Sequence, residues 1–286
     1  MYASPRLSSA AMDTFYEESF DGDAGSPVRA KAGFPEEDKI RSEEKRAMKW
    51  ALRIIRRRME IEGKKILDLR CRSGALSATL TAEGADVLSV DPFEANVRYA
   101  QQVRGLSHVV LLPFSRFHQL ALLSEGEWDA VSVLTEHVLA HVASPQGLLT
   151  HIFALLKPGG YLFLDEKDVL LPARYQTRSV FDSGLAHQYH LTVDTTAGYL
   201  RSVGFELVEC EIDTQRVSSH RHIRAVARKP EMGSAAVGAA PFLDGGPTAE
   251  EIRRRLRWLE RTWRISRTQV VAKRTIRRLL RRLCSL

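Results

Sequence analysis

Two acids and an arginine-bearing turn carry the first chemical signal in this chain. Ile66-Leu67-Asp68-Leu69 is a short apolar run that leads into Arg70-Cys71-Arg72-Ser73-Gly74. Seventeen residues after Gly74, Asp91 closes a second apolar run, Val87-Leu88-Ser89-Val90. A buried strand, a tight turn, a helix, a second strand and a terminal acid form the nucleotide-binding half of a doubly wound sheet. In that arrangement backbone N–H groups approach a ligand, and the acid can grip two ribose hydroxyls. Such turns use glycine where the backbone needs positive φ or lacks room for a Cβ. The expected pattern, Asp-x-Gly-x-Gly-x-Gly, here has Arg70 and Arg72 at its first two glycine positions and keeps only Gly74. An arginine at positive φ costs about 1–2 kcal/mol.

The arginines have three readings. A guanidinium fork suits a carboxylate, so one of them could bind a ligand's acid group. Either could instead pair with Asp68 and point away from the ligand. Against a cationic ligand they repel: two unit charges 4 Å apart interact by roughly 4 kcal/mol at an effective dielectric near 20. The direction of the side chains decides among these.

Acid–base chemistry near neutral pH points to histidine. The candidates are His137, His141, His187 and His190. Each has the simpler reading of a surface or capping residue. Asp68 is expected to orient the turn, and Gly74 to be needed by the turn whether or not a ligand binds.

The elements that would position these groups alternate. Residues 36–60 read as a helix, with Ile40, Met48, Leu52, Ile55 and Met59 at helical spacing. Strands are expected at Ile66–Leu69, Val87–Asp91, Val109–Leu112, Ala130–Leu134 and Tyr161–Leu164, with a closing pair at Phe205–Cys210 and Ile223–Ala227. Helices are expected at Ala75–Glu83, Glu94–Arg104, Phe117–Leu123, Gln146–Leu156 and Thr195–Val203. Lys157-Pro158-Gly159-Gly160 and Gly204 stop the last two. Strands that alternate with helices and lack polar alternation imply a buried, mostly parallel sheet of seven strands, doubly wound, in the α/β class.

The charge is divided. The chain of 286 residues carries +7 overall, but Ala249–Leu286 alone holds twelve arginines, one lysine and three glutamates, a net +10 that leaves −3 on the remainder. Residues 1–35 have no sustained period and are expected to be flexible. The α/β domain spans 36–229, a Gly/Ala/Pro linker spans 230–247, and 248–286 form a basic helical extension. Thr248 and Glu251 make a capping box. Ile252, Leu256, Leu259 and Trp263 then share a helix face. That extension could dock on the domain or lie on an anionic membrane surface. No nucleic-acid recognition motif accompanies it, so nucleic acid is not an expected partner. The first residues lack a hydrophobic signal core, and the three scattered cysteines have no metal-ligand spacing. A cytoplasmic protein without a metal, peripheral to the membrane if its extension binds lipid, is the expectation.

Five blocks together resemble the class I methyltransferases that use S-adenosylmethionine, in particular those acting on small quinone-type or glycan-type substrates. They are Lys65-Ile66-Leu67-Asp68 with Gly74, Val90-Asp91-Pro92, Trp128-Asp129-Ala130-Val131 through His141-Val142, Leu155-Leu156-Lys157-Pro158-Gly159-Gly160-Tyr161-Leu162, and Leu200-Arg201-Ser202-Val203-Gly204-Phe205. The resemblance covers roughly residues 45–229. It implies a Rossmann-like methyltransferase fold and S-adenosylmethionine as cofactor. The cofactor would be held at Asp68, Arg70, Arg72, Gly74, Asp91, Pro92 and Leu134, with His141, His187 and His190 as catalytic candidates. The implied activity is O-methylation of a small-molecule or lipid-linked acceptor. The chain departs from the family pattern at the two arginines. It also has Leu112-Pro113-Phe114-Ser115, without an acid, after the third strand, and Ala140 where a glutamate is usual. These departures support an alternative, a catalytically degenerate methyltransferase-like binding module.

Overall fold

Strand β1 (Lys65–Leu69) is an interior strand of a seven-stranded sheet: four of its five residues are buried, and parallel neighbours flank it on both sides. In this computed structural model the described residues are 8, 11, 48–123, 125–134, 137–172, 188–213, 220–231, 250 and 254. The expected segment 1–35, linker 230–247 and basic extension 248–286 fall outside them, apart from residues 8, 11, 230, 231, 250 and 254. Of the first expected helix, 36–60, residues 48–60 are described: 48–56 are helical (α1), and the helix ends at a turn over 57–58, four residues before the expected end.

Along the chain follow α2 (Ala75–Ala82), β2 (Asp86–Asp91), α3 (Glu94–Gln102), β3 (Val109–Leu111) and a 3-10 segment, Phe114–Leu122. Then come β4 (Trp128–Val133), α4 (Pro145–Leu155), β5 (Leu156–Pro172), α5 (Val193–Val203), β6 (Glu206–Asp213) and β7 (His220–Arg228). The sheet order is β3-β2-β1-β4-β5-β7-β6. The first five strands run parallel, and β7 is antiparallel to both β5 and β6. The expected doubly wound, mostly parallel seven-stranded sheet is therefore the one observed. Its strand order reverses between β1 and β4, and in open sheets ligands bind outside the carboxyl ends of the strands at such a point.

Successive strand residues face opposite sides, which splits the core in two. Leu67, Leu69, Val131, Val133, Leu162 and Leu164 pack under α4 and α5. Ile66, Ala130, Leu134 and Phe163 pack under α1 and α2, against Ile55, Leu76 and Leu80. Helix α4 starts where the Ser144 hydroxyl accepts from the Gly147 N–H, with Pro145 in its first turn. A Thr192–Thr195 capping box starts α5, and Gly204, at φ 107°, ends it as the sequence implies.

Two local expectations change. The fifth strand is seventeen residues long rather than Tyr161–Leu164. Lys157–Gly160 does end the helix, but the segment then pairs as strand: Leu156 faces Trp128, the Gly159 N–H donates to Lys229 O, and the Lys229 N–H donates to Gly160 O. At its far end Asp165–Lys167 continue the ladder with β7. The helix expected at Phe117–Leu123 is a 3-10 segment that begins three residues earlier, after Pro113.

Candidate active site

Register brings the two acids to one place. Leu69 pairs with Val90, so β1 and β2 end side by side, and the turn after β1 lies against Asp91. Arg70, Arg72 and Gly74 have φ values of 64°, 54° and 74°. All three positions thus have the backbone that the glycine pattern requires, and two arginines occupy it. The turn is pinned from outside: the Arg70 and Cys71 N–H groups both donate to Val90 O, at 2.7 and 3.1 Å. Gly74 packs so tightly that a Cβ there would meet Leu106 Cδ1 at 2.7 Å and Ala100 Cβ at 2.9 Å.

Arg70 points neither to Asp68 nor outward. Its Nη1 donates to Asp91 Oδ2 at 2.9 Å and to Oδ1 at 3.2 Å. The Arg72 N–H donates to Oδ2 at 2.8 Å, the Phe93 N–H to Oδ1 at 3.0 Å, and the Asn96 amide to Oδ1 at 2.8 Å. Asp91 is completely buried and Arg70 is 6% exposed. The guanidinium lies over the Phe93 ring, 4.6 Å from its centroid. Pro92 is half-buried beside this cluster.

Asp68 has its own partner, Ser77, whose hydroxyl donates to Oδ2 at 2.6 Å. Burial pushes its carboxyl up to about 7, against the pull of the hydrogen bond from Ser77. Leu134, just past β4, is buried in the α1–α2 core with Leu76 and Leu80.

His141 is buried on the segment after β4, and aromatic contacts connect it to the acid cluster. Its ring stacks on Phe114 at 5.1 Å and on His137 at 5.4 Å. Phe114 meets Phe93 edge-on at 6.3 Å. Arg70, Phe93, Phe114, His141 and His137 therefore form one continuous row. His190 lies on the segment 188–191, which is tied to the His141 turn by Gln188 N–H donating to Ala140 O at 2.8 Å. Burial, helped by the charge of Lys167, lowers its pKa and favours the neutral imidazole. His187 lies outside the described residues.

Sequence reasoning missed Glu166. This carboxyl is buried at the carboxyl end of the core part of β5, and its Oε1 accepts from the Val138 and Leu139 N–H groups at 2.9 and 2.7 Å. It thereby holds the turn that presents His137 and His141. Burial raises it to about 8, against those two hydrogen bonds, so it is mostly protonated at neutral pH. Its signal was in the sequence: the apolar run Tyr161–Leu164 closes on an acid pair, Asp165-Glu166, much as the second run closes on Asp91. Asn96, buried in α3 and donating to Asp91, has no comparable signature.

A family model described as a methyltransferase domain matches residues 41–210, more than half of the chain. The chain belongs to this methyltransferase family. Class I enzymes of this superfamily use S-adenosylmethionine, and the observed sheet is theirs. Among curated relatives, the ubiquinone biosynthesis O-methyltransferase of Bordetella avium is 26% identical over 156 residues, 51% of this chain. The chain spans 64% of that relative's length. Among solved structures, the 1,6-didemethyltoxoflavin-N1-methyltransferase of Burkholderia thailandensis, with 1,6-didemethyltoxoflavin and S-adenosylhomocysteine bound, aligns at a TM-score of 0.50 and 19% identity. It covers 73% of this chain and 97% of its own. The [4+2]-cyclase SpnF aligns at 0.55 and 17% identity, covering 79% and 98%. At these identities the two structures report the shared fold.

The expectation that Asp91 holds a ribose meets one obstacle. With Arg70 as it stands, both oxygens of Asp91 are engaged by the chain itself. In this conformation the seat does not fit a ribose diol.

Proposed function

We propose that the chain is an S-adenosylmethionine-dependent O-methyltransferase for a hydroxyl of a small or lipid-linked acceptor. The observation that carries this reading, beyond family membership, is the row from Asp91 to His141. It sets the expected ribose acid and an imidazole on the same end of the sheet, through Arg70, Phe93 and Phe114. His141 is the base that would take the acceptor's proton, a contribution worth typically 10²–10⁴-fold in rate. Its stack on Phe114 and the grip of Glu166 on the preceding turn would fix its position. His190, on the adjoining segment, is the second candidate for acceptor contact, and His187 is a third. A ring hydroxyl of a quinone precursor is the acceptor class suggested by the name of the Bordetella avium relative.

The test is methyl transfer from labelled S-adenosylmethionine to a panel of phenolic and catecholic acceptors, with products read by mass. Wild type should methylate at least one acceptor on oxygen, and His141→Gln should slow that reaction by about 10²-fold or more with cofactor affinity unchanged. Equal rates would remove His141 from the mechanism.

One observation favours a second reading, a non-catalytic module: the carboxylate expected to hold ribose is already in use. No binding of S-adenosylhomocysteine by the folded protein would select it. No described helix is long and apolar enough to cross a membrane. The proposal that residues 248–286 bring the chain to anionic lipid is tested by co-sedimentation of the full chain with phosphatidylserine vesicles, compared with phosphatidylcholine vesicles.

A further inference from the structure

Asp91 is saturated from within the chain. Its two oxygens offer about four lone-pair sites. The Arg70 guanidinium, the Arg72 and Phe93 N–H groups and the Asn96 amide make five contacts to them. A ribose diol binds such a carboxylate by donating from its hydroxyls, so it needs oxygens that are free to accept. Arg70 Nη1 spans both oxygens, the same two acceptors that a vicinal diol would need. The aromatic face of Phe93 beneath the guanidinium holds it there.

The contact belongs to the turn rather than to a passing side-chain conformation. Arg70 springs from the left-handed backbone that its position in the turn dictates, and the register of β1 against β2 sets that position beside Asp91. The three other donors to Asp91 come from the turn and from the start of α3, and they do not need the arginine side chain.

We propose that Arg70 is an internal competitor for the ribose seat, and that it sets the affinity of this chain for its adenosyl cofactor. The inference rests on the reading of Asp91 as the ribose acid. The cofactor binds only to the fraction of molecules in which the guanidinium has left Asp91, so the apparent dissociation constant is the intrinsic one divided by that fraction. Two buried partners with this many contacts keep the fraction small. Glycine at position 70 would retain the backbone, the Arg72 and Phe93 N–H donors and the Asn96 amide, while freeing acceptor positions on both oxygens.

The experiment is calorimetric titration of the full chain with S-adenosylhomocysteine, using wild type, Arg70→Gly, Arg70→Asn and Arg70→Lys. Asparagine tolerates the left-handed backbone and guards against misfolding of the glycine variant, and circular dichroism confirms that each variant is folded. The glycine and asparagine variants should bind at least roughly tenfold tighter than wild type, and the lysine variant should stay near wild type. Guanidinium chloride at low millimolar concentration should weaken binding to the glycine variant more than to wild type. Equal affinity of wild type and the glycine variant overturns the competitor role and leaves the methyltransferase reading standing. Weaker binding by the glycine variant also overturns it and makes Arg70 a ligand group. No binding by any folded variant overturns this inference and the cofactor reading together.

Discussion

The cluster at Asp91 predicts an asymmetry between the two halves of one ion pair. Asp91→Asn keeps the side-chain shape but removes the charge that faces Arg70. It also turns one acceptor oxygen into a donor amide facing donors already in place. Breaking a buried pair by removing one partner costs about 3–5 kcal/mol. Arg70→Gly breaks the same pair, yet the carboxylate keeps the Arg72 and Phe93 N–H groups and the Asn96 amide. The glycine also relieves about 1–2 kcal/mol of strain at φ 64°, partly offset by the roughly 0.5–1 kcal/mol of extra freedom that glycine gives the unfolded chain. The net loss is then about 2–4 kcal/mol, so Asp91→Asn should be the more destabilising by about 1 kcal/mol. For a cooperative unit of this size that is about 2–4 °C in Tm.

The assay is thermal unfolding of the full chain by calorimetry at one pH and without ligand, for wild type, both single variants and the double variant. Once the carboxylate is gone, removing Arg70 takes away an unpaired buried cation. The double variant should therefore melt no lower than Asp91→Asn alone, a coupling that reports the contact directly. If Arg70→Gly melts below Asp91→Asn, the strain and residual-donor argument fails. If the two losses simply add in the double variant, Arg70 and Asp91 are not paired in solution.

Glu166 predicts a pH dependence. Its folded pKa of about 8 lies above the ordinary carboxylate value of 4.5, so the folded chain holds a proton that the unfolded chain has already lost. Stability is then fully present below about 4.5 and is lost as pH rises toward 8, by an amount approaching about 5 kcal/mol for this group. Glu166→Gln removes that slope, so the Tm of the variant relative to wild type should climb from pH 5 to pH 8; a constant difference refutes the assignment. Gly74→Ala should cost about 2–5 kcal/mol, from strain at φ 74° and from overpacking against Ala100. A shift in urea midpoint worth less than 1 kcal/mol would show that the turn is looser than the structure has it.

The alternation of strands and helices, and the mostly parallel sheet they build, was legible because apolar runs of four to six residues, separated by helical periods, leave a buried parallel sheet as the consistent arrangement; the order β3-β2-β1-β4-β5-β7-β6 came from the structure. The backbone of the turn was legible too. The spacing from Asp68 marks positions 70, 72 and 74 as those needing positive φ, and they have it. The aim of Arg70 was not. Asp68 is two residues away and Asp91 is twenty-one, so sequence distance favours the wrong partner. The parallel register of β1 and β2 reverses that preference by placing the end of one strand beside the end of the other. The same kind of contact hid the roles of Phe93 and Phe114, whose rings join Arg70 to His141 only after the segments that follow β1, β2, β3 and β4 meet.

These residues also show why a turn can keep its shape when its glycines are replaced. The Arg70 and Cys71 N–H groups are anchored on Val90 O, Gly74 is wedged against Ala100, and Cys71 is buried with Val97, Ala100 and Val109. Packing and hydrogen bonding from β2 and α3 therefore impose the left-handed backbone, and each arginine bears about 1–2 kcal/mol of strain within it. For Arg70 the ion pair with Asp91 offsets that strain. The residue is tolerated in the fold by the same contact that occupies the proposed ribose seat. A substitution that opens the seat should therefore cost stability in the absence of ligand and return it when the cofactor binds, because a ligand stabilises the state it binds by RT ln(1 + [L]/Kd). A glycine variant that binds S-adenosylhomocysteine tightly yet shows no rise in Tm with it would break this link between the strain at position 70 and the occupancy of Asp91.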